Sequence, residues 1–159
     1  MPLLATFAGR RVLCVGDTMI DRFIYGEVRR ISPEAPVPVI RITRESASIG
    51  GAGNVVRNLA ALGALPYYVS VVGDDAAGRE AAMLLGEIAG AESYLRVSAA
   101  RETTIKNRFL SSDGHHLLRA DRENIAPLSD KDLAAVRDAA LSELKTSDAS
   151  GGSVTNYAG

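Results

Sequence analysis

The chain has 159 residues, 47% of them hydrophobic and 23% charged, with a net charge of −1. These are ordinary globular proportions, enough for one domain with a real core, and they give no electrostatic reason to expect a nucleic acid or an anionic membrane as partner. Gly, Pro or charge interrupts every apolar run short of membrane-spanning length, and Met1 to Arg11 lacks the pattern of a signal peptide, so the expected location is the cytoplasm.

In chain order, residues 12–15 read as a fully buried strand, four apolar residues between charges. The single cysteine, Cys14, lies within it, which excludes an internal disulfide framework and suits a small buried hydrophobe. The strand runs into Gly16-Asp17-Thr18-Met19-Ile20-Asp21, so Asp17 and Asp21 follow its C-terminal end, where open α/β sheets bind ligands. Residues 37–43 read as a strand that Pro36 and Pro38 push to a sheet edge. The run Gly50-Gly51-Ala52-Gly53-Asn54 then enters a helix ending near Gly63, with Val55, Val56, Leu59, Ala60 and Leu62 on one side. Residues 67–72 form a strand rich in aromatic and β-branched residues. It stops at Gly73-Asp74-Asp75-Ala76-Ala77-Gly78, and residues 79–89 follow as a helix packing Ala82, Leu84, Leu85 and Ile88. Residues 103–110 and 117–119 are two strands around Ser112-Asp113-Gly114, whose Asp-Gly pair is a hairpin signal. Ser129 is an N-cap, with Asp132 at the capping-box position, for a helix through Leu144. After Ser147 the sequence turns small, polar and glycine-rich, and residues 148–159 are expected to be a poorly ordered tail to an organised segment, 1–147.

The glycine run carries the most chemistry. Glycine takes positive φ and lets a ligand approach the main chain; the free N–H groups of the following helix favour oxygen-rich or anionic groups. Asn54 can both donate and accept, which suits a sugar hydroxyl better than a bare phosphate. The same residues also describe a tight strand-to-helix connection with no ligand. Lys106 and Arg108, two apart on a strand, share a face and suit a phosphorylated ligand, or else a solvated sheet edge. Asp75 and Gly78 read as a structural helix entry. His115 and His116, as strand neighbours, face opposite sides and do not suit one metal ion.

Taken together, Gly16–Asp21, the segment Tyr25-Gly26-Glu27-Val28-Arg29-Arg30-Ile31-Ser32-Pro33-Glu34-Ala35-Pro36-Val37-Pro38-Val39 and the glycine run resemble the N-terminal half of the ribokinase-like (PfkB) carbohydrate kinases. Within that family the segments look most like the kinases acting on heptose 7-phosphate in the synthesis of lipopolysaccharide core. The resemblance implies an α/β fold, a partial doubly wound ribokinase-like sheet with a small β lid from residues near 23–43 and 103–120. It implies ATP and Mg²⁺ as cofactors of the complete enzyme, a small-molecule sugar phosphate as partner, and a homodimer through lid strands. It makes Asp21 a sugar-binding carboxylate, Gly50, Gly51 and Asn54 sugar contacts, and Asp17 either a sugar contact or a turn stabiliser.

Family domains are considerably longer than this chain, so the chain is expected to be the sugar-binding half of one kinase domain. The family's catalytic aspartate sits in a Gly-Ala-Gly-Asp motif, which is absent here: Gly50-Gly51-Ala52-Gly53 ends in Asn54, which cannot act as a base. No catalytic residue is therefore assigned, and the chain is expected to be inactive alone. The alternative is a non-enzymatic sugar-binding or dimerisation module. A Rossmann nucleotide site is disfavoured because the glycine run lacks G-x-G-x-x-G order.

Overall fold

The computed structural model describes residues 7–153, and for 149–153 the backbone alone. The elements are β1 (Arg11–Gly16), β2 (Thr18–Ile31), β3 (Pro38–Gly51), α1 (Ala52–Ala61), β4 (Leu65–Gly73), α2 (Ala76–Gly86), β5 (Glu92–Ser98), β6 (Thr104–Ser111), β7 (His116–Arg122), α3 (Asp130–Leu144) and β8 (Ala149–Ser153). They form two four-stranded sheets: a body sheet in the order β5-β4-β1-β8 and a lid sheet in the order β3-β2-β6-β7.

Every pairing in the body sheet is parallel. The chain moves outward from β1 through β4 to β5 and then returns past β1 to β8. Right-handed crossovers then require α1 and α2 on one face and α3 on the other. The side chains agree. Val12 and Cys14 of β1 and Tyr68 and Val72 of β4 pack with Ala52 and Val56 of α1 and with Ala77, Ala81 and Leu85 of α2. The alternate residues Val15 and Val71 line a cavity with Leu133 and Val136 of α3. The strand order reverses between β1 and β8, and crevices in such sheets open at the C-terminal strand ends beside that reversal. The fold is thus the expected α/β arrangement, a partial doubly wound sheet with a β lid.

The lid grows out of that crevice. Only Asp17 separates β1 from β2, and β3 passes into α1 with no intervening residue. Ile20, Ile49 and Ile105 turn one face of the lid sheet into the core, and Arg22 of β2 pairs with Glu80 of α2 on that side. Full burial of each such isoleucine stabilises by about 1.5–3 kcal/mol. The distal ends of β2 and β3 project from the body, leaving Val28, Ile31, Val37 and Ile42 exposed.

Several local expectations shift. The edge strand expected at 37–43 does lie at the lid edge but runs on to Gly51, and β2 and β5 are strands the pattern did not single out. On α1 only Ala52, Gly53 and Val56 are buried, while Val55 and Leu62 face outward. The second helix begins at Ala76, not Arg79, and buries Ala81 while Ala82 is exposed, because Asp75 caps it three residues earlier than the apolar spacing suggests. Within the segment expected as a tail, 148–159, residues 149–153 pair with β1 from Val12↔Ala149 to Gly16↔Ser153. A ladder is made by backbone groups and does not require apolar side chains. Asp148 starts it, accepting from the Arg11 N–H at 3.0 Å while its own N–H donates to the Arg11 carbonyl at 2.9 Å. The rest of that tail, 154–159, lies outside the described residues. No helix among the described residues is long and apolar enough to cross a membrane.

Candidate sugar-binding site

The turn between β1 and β2 is fixed from beneath by a buried hydroxyl cluster. Tyr68 donates to the Asp17 carbonyl at 2.8 Å and lies 3.0 Å from Thr18 Oγ1; Ser70 donates to the Gly16 carbonyl at 2.6 Å. Burial pushes the Tyr68 phenol up to about 12, outweighing its bonds with Ser70 and Thr18, so it remains a protonated donor. The Asp17 carbonyl also accepts the Ala52 N–H at 3.1 Å, tying the first residue of α1 to the end of β1. No side chain caps α1, and its N-cap, Gly51, has φ +58°. A Cβ there would sit 2.8 Å from the Asp17 carbonyl oxygen and 3.1 Å from its carboxylate Oδ2. The Asp17 carbonyl thus takes part in holding the turn, and its carboxylate lies beside the helix entry.

Asp21 is four strand positions from Asp17, on the lid face that turns away from the core. Residues paired across a ladder share a face. Asp21 is partnered by Ser48 of β3 and Lys106 of β6, Phe23 by Arg108, and Lys106 in turn by Asp121 of β7. Lys106 and Arg108 do share this face, and Lys106 is buried between two carboxylate-bearing positions. Arg108 donates from Nη2 at 2.7 Å and Nε at 3.2 Å to Asp21 Oδ1. The other oxygen, Oδ2, overhangs Gly50, where an added Cβ would lie 2.5 Å away. The glycine run thus makes room for the Asp21 carboxylate as well as turning the chain. Asn54, in the first turn of α1 and half-buried, accepts at Oδ1 from Arg57 at 2.7 Å, which orients its amide NH₂ as a donor.

Asp75 is structural. Its carboxylate caps α2 through the Gly78 N–H at 2.7 Å and holds the Thr103 N–H at 2.8 Å. Burial alone would raise its pKa; the Thr103 and Gly78 bonds outweigh that and lower it. His115 is exposed and pairs with Asp113 at 2.8 Å. Among the described residues no group of three or more His, Cys, Asp or Glu side chains is arranged to hold a metal ion.

Sequence reasoning missed three contributors: Tyr68 beneath the turn, Asp121 beside Lys106, and Arg44, whose guanidinium lies 3.8 Å over the Tyr25 ring. Tyr68 was visible only as one aromatic in a strand. Asp121 and Arg44 come to the site through strand register, which spacing within one segment does not reveal.

Solved structures share this fold. A carbohydrate kinase from Agrobacterium tumefaciens superimposes with a TM-score of 0.68 at 22% identity, over 90% of this chain and 45% of that one. Phosphofructokinase-2 from Escherichia coli in complex with fructose-6-phosphate gives 0.68 at 19% identity, over 91% and 45%. Arabidopsis thaliana ribokinase complexed with ribose and ATP gives 0.56 at 25% identity, over 82% and 43%. Among curated proteins, the bifunctional protein HldE of Paramagnetospirillum magneticum is 59% identical over 122 residues, 77% of this chain. That of Bradyrhizobium diazoefficiens is 49% identical over 147 residues, 92% of this chain. The chain spans 25% and 30% of the length of those two relatives. The family model for pfkB family carbohydrate kinases matches residues 10–157. With the crevice, the lid and the glycine entry to α1 in place, the chain belongs to the pfkB family of carbohydrate kinases.

Proposed function

We propose that this chain supplies the sugar-phosphate-binding part of an ATP-dependent kinase that phosphorylates heptose 7-phosphate at its anomeric hydroxyl. The observation that carries the reading is the Asp21 carboxylate, fixed at Oδ1 by Arg108 and overhanging Gly50 at Oδ2. A carboxylate held this way accepts hydrogen bonds from adjacent sugar hydroxyls. The Asn54 amide donates to a sugar oxygen from the first turn of α1, and Lys106 and Arg108 bias the lid face toward an anionic substrate. Asp17 and the backbone of Gly50 and Gly51 line the near side. The choice of heptose 7-phosphate is supported by the segment Ile31–Val39 and by identity to the proteins named HldE.

In-line transfer also needs a base for the acceptor hydroxyl and neutralisation of the transferring phosphoryl group. The chain has no Gly-Ala-Gly-Asp motif to supply them. ATP, with Mg²⁺ to neutralise phosphate charge, therefore belongs to the assembled kinase. Alone, this chain binds sugar phosphate without turnover; sugar-dependent ADP production at about 1–100 s⁻¹, an ordinary kinase rate, would contradict that.

A second property is pairing through the lid. Strands β3 and β7 are the sheet edges, and the projecting arm exposes Val28, Ile31, Val37 and Ile42. Unpaired edges with apolar flanks favour a homodimer, which sedimentation at increasing concentration would detect.

The binding claim is tested by calorimetric titration of heptose 7-phosphate into the wild-type chain and Asp21→Ala. Losing a charged hydrogen-bond partner costs about 1.5–3 kcal/mol, so affinity should fall about ten- to hundredfold. Unchanged affinity in a folded variant would remove Asp21 from the site.

A further inference from the structure

The outward lid face continues past Asp21 to a second charged feature. Tyr25 is paired in register with Arg44 of β3, and the Arg44 guanidinium carbon lies over the Tyr25 ring, 3.8 Å from its centroid. A cation held over a ring by its charge does not use up its N–H donors, which remain able to meet an anion. Among the described residues no carboxylate pairs with Arg44. Arg108, by contrast, is already committed to Asp21 at 2.7 Å, and Lys106 is buried between Asp21 and Asp121 in the ladder. The cation best placed to meet a further anionic group is therefore Arg44.

Position supports this. Asp21 and Tyr25 are four residues apart on one strand, hence on one face and roughly 13 Å apart along it. That separation is of the order spanned by a multi-carbon sugar with a phosphate at its far end, once the reach of the Arg44 side chain is included. Around Asp21 and Tyr25 the face carries Asp21 and Asp121, paired with Arg108 and Arg119, together with Lys106 and Arg44, an excess of positive charge; Glu27, two positions beyond Tyr25, is itself paired with Arg29 and Arg41.

Resting on the sugar-binding reading above, we infer that Arg44, braced on Tyr25, is a specificity-determining residue that binds the phosphate at the non-reacting end of the substrate. The planar fork of arginine suits a phosphate, and the ring beneath it fixes its orientation before binding. Asp21 holds the hydroxyl end and Arg44 the phosphate end, so the lid face measures the substrate's length as well as its charge.

The test uses the chain itself and two probes, heptose 7-phosphate and the same heptose without its phosphate, titrated by calorimetry. The wild type should prefer the phosphorylated sugar. Arg44→Ala, a substitution at an exposed position, should weaken the phosphorylated sugar about tenfold and leave the unphosphorylated one unchanged. Arg44→Lys, which keeps charge without the planar fork, should fall between, as should Tyr25→Leu, which removes the platform. Arg44→Ala weakening both probes equally, or neither, overturns the inference, as does a wild type with no preference for the phosphate. Asp21→Ala separates the two readings: it should weaken both probes. Both probes unaffected by Asp21→Ala, or no binding of either by folded wild type, would overturn the sugar-binding reading and the role of Arg44 together.

Discussion

The two sheets of this molecule obey opposite rules. The body sheet is parallel, and β1 and β4 are buried by helices against both faces, so they read as nearly continuous apolar runs. The lid sheet is mixed, with one face on the core and the other polar. In the body, chemistry is confined to the strand ends. In the lid, Asp21, Phe23 and Tyr25 of β2 alternate onto the face away from the core. The structure joins the two at Asp17 and Gly51, so that the rigid sheet aims the polar one.

The largest effects should separate buried from projecting parts of the same lid. Ile20 is fully buried, whereas Ile42 on the arm is 48% exposed. Ile20→Ala should cost about 2–5 kcal/mol, and Ile42→Ala about 0.5 kcal/mol or less, by urea denaturation. These are the costs in the monomer, read at low protein concentration; equal costs there would contradict the difference in burial, and a cost for Ile42→Ala that rises with concentration would mark the arm as covered in the lid-paired dimer. Next comes the joint. Gly51→Ala places a side chain at φ +58°, against the Asp17 carbonyl, and should destabilise by about 1–3 kcal/mol. A neutral result would show that the entry to α1 relaxes without loss.

Smaller is the hydroxyl support. Tyr68→Phe removes the donor to the Asp17 carbonyl and should cost about 0.5–1.5 kcal/mol, with a loss of sugar affinity if that turn positions Asp17.

A pH effect is expected from the body. Arg96 first, then Ser129 and Ser98, hold the buried Asp132 carboxyl at about 2, below its usual 3.8. Because the folded value is depressed, this contribution is present above about pH 4 and is lost as pH falls through about 2. The acid limb of a stability profile should therefore be shallower in Asp132→Asn. An unchanged limb would show that the α3-to-β5 latch does not titrate with folding.

How much was legible in the sequence divides along the same line. Strand β1 and helix α3 were readable because their signals are local: an apolar run bounded by charge, and Ser129, which does cap α3 by accepting the Asp132 N–H at 3.1 Å. The shared face of Lys106 and Arg108 was readable from strand alternation. The grip of two Arg108 donors on Asp21 Oδ1 was not, since it joins residues 87 apart in sequence through a parallel pairing. Strand β8 was missed because Ala149-Ser150-Gly151-Gly152-Ser153 carries no apolar pattern, and its place is set by the free edge of β1. The resemblance to a known family supplied Asp21 and the glycine run, but not the reason Gly50 must lack a side chain, which is the carboxylate above it.

The central claim is that the polar lid face and the entry to α1 form one sugar-phosphate site. Amide chemical shifts during titration with heptose 7-phosphate test it most directly. The account predicts saturable shifts at Asp21, Gly50, Gly51, Asn54, Lys106 and Arg108, with Arg44 moving only when the sugar is phosphorylated, and β5 and α2 unmoved. Shifts confined to the opposite end of the body sheet, around Arg11, Leu65 and Glu92, or no shifts in the folded chain, would contradict it.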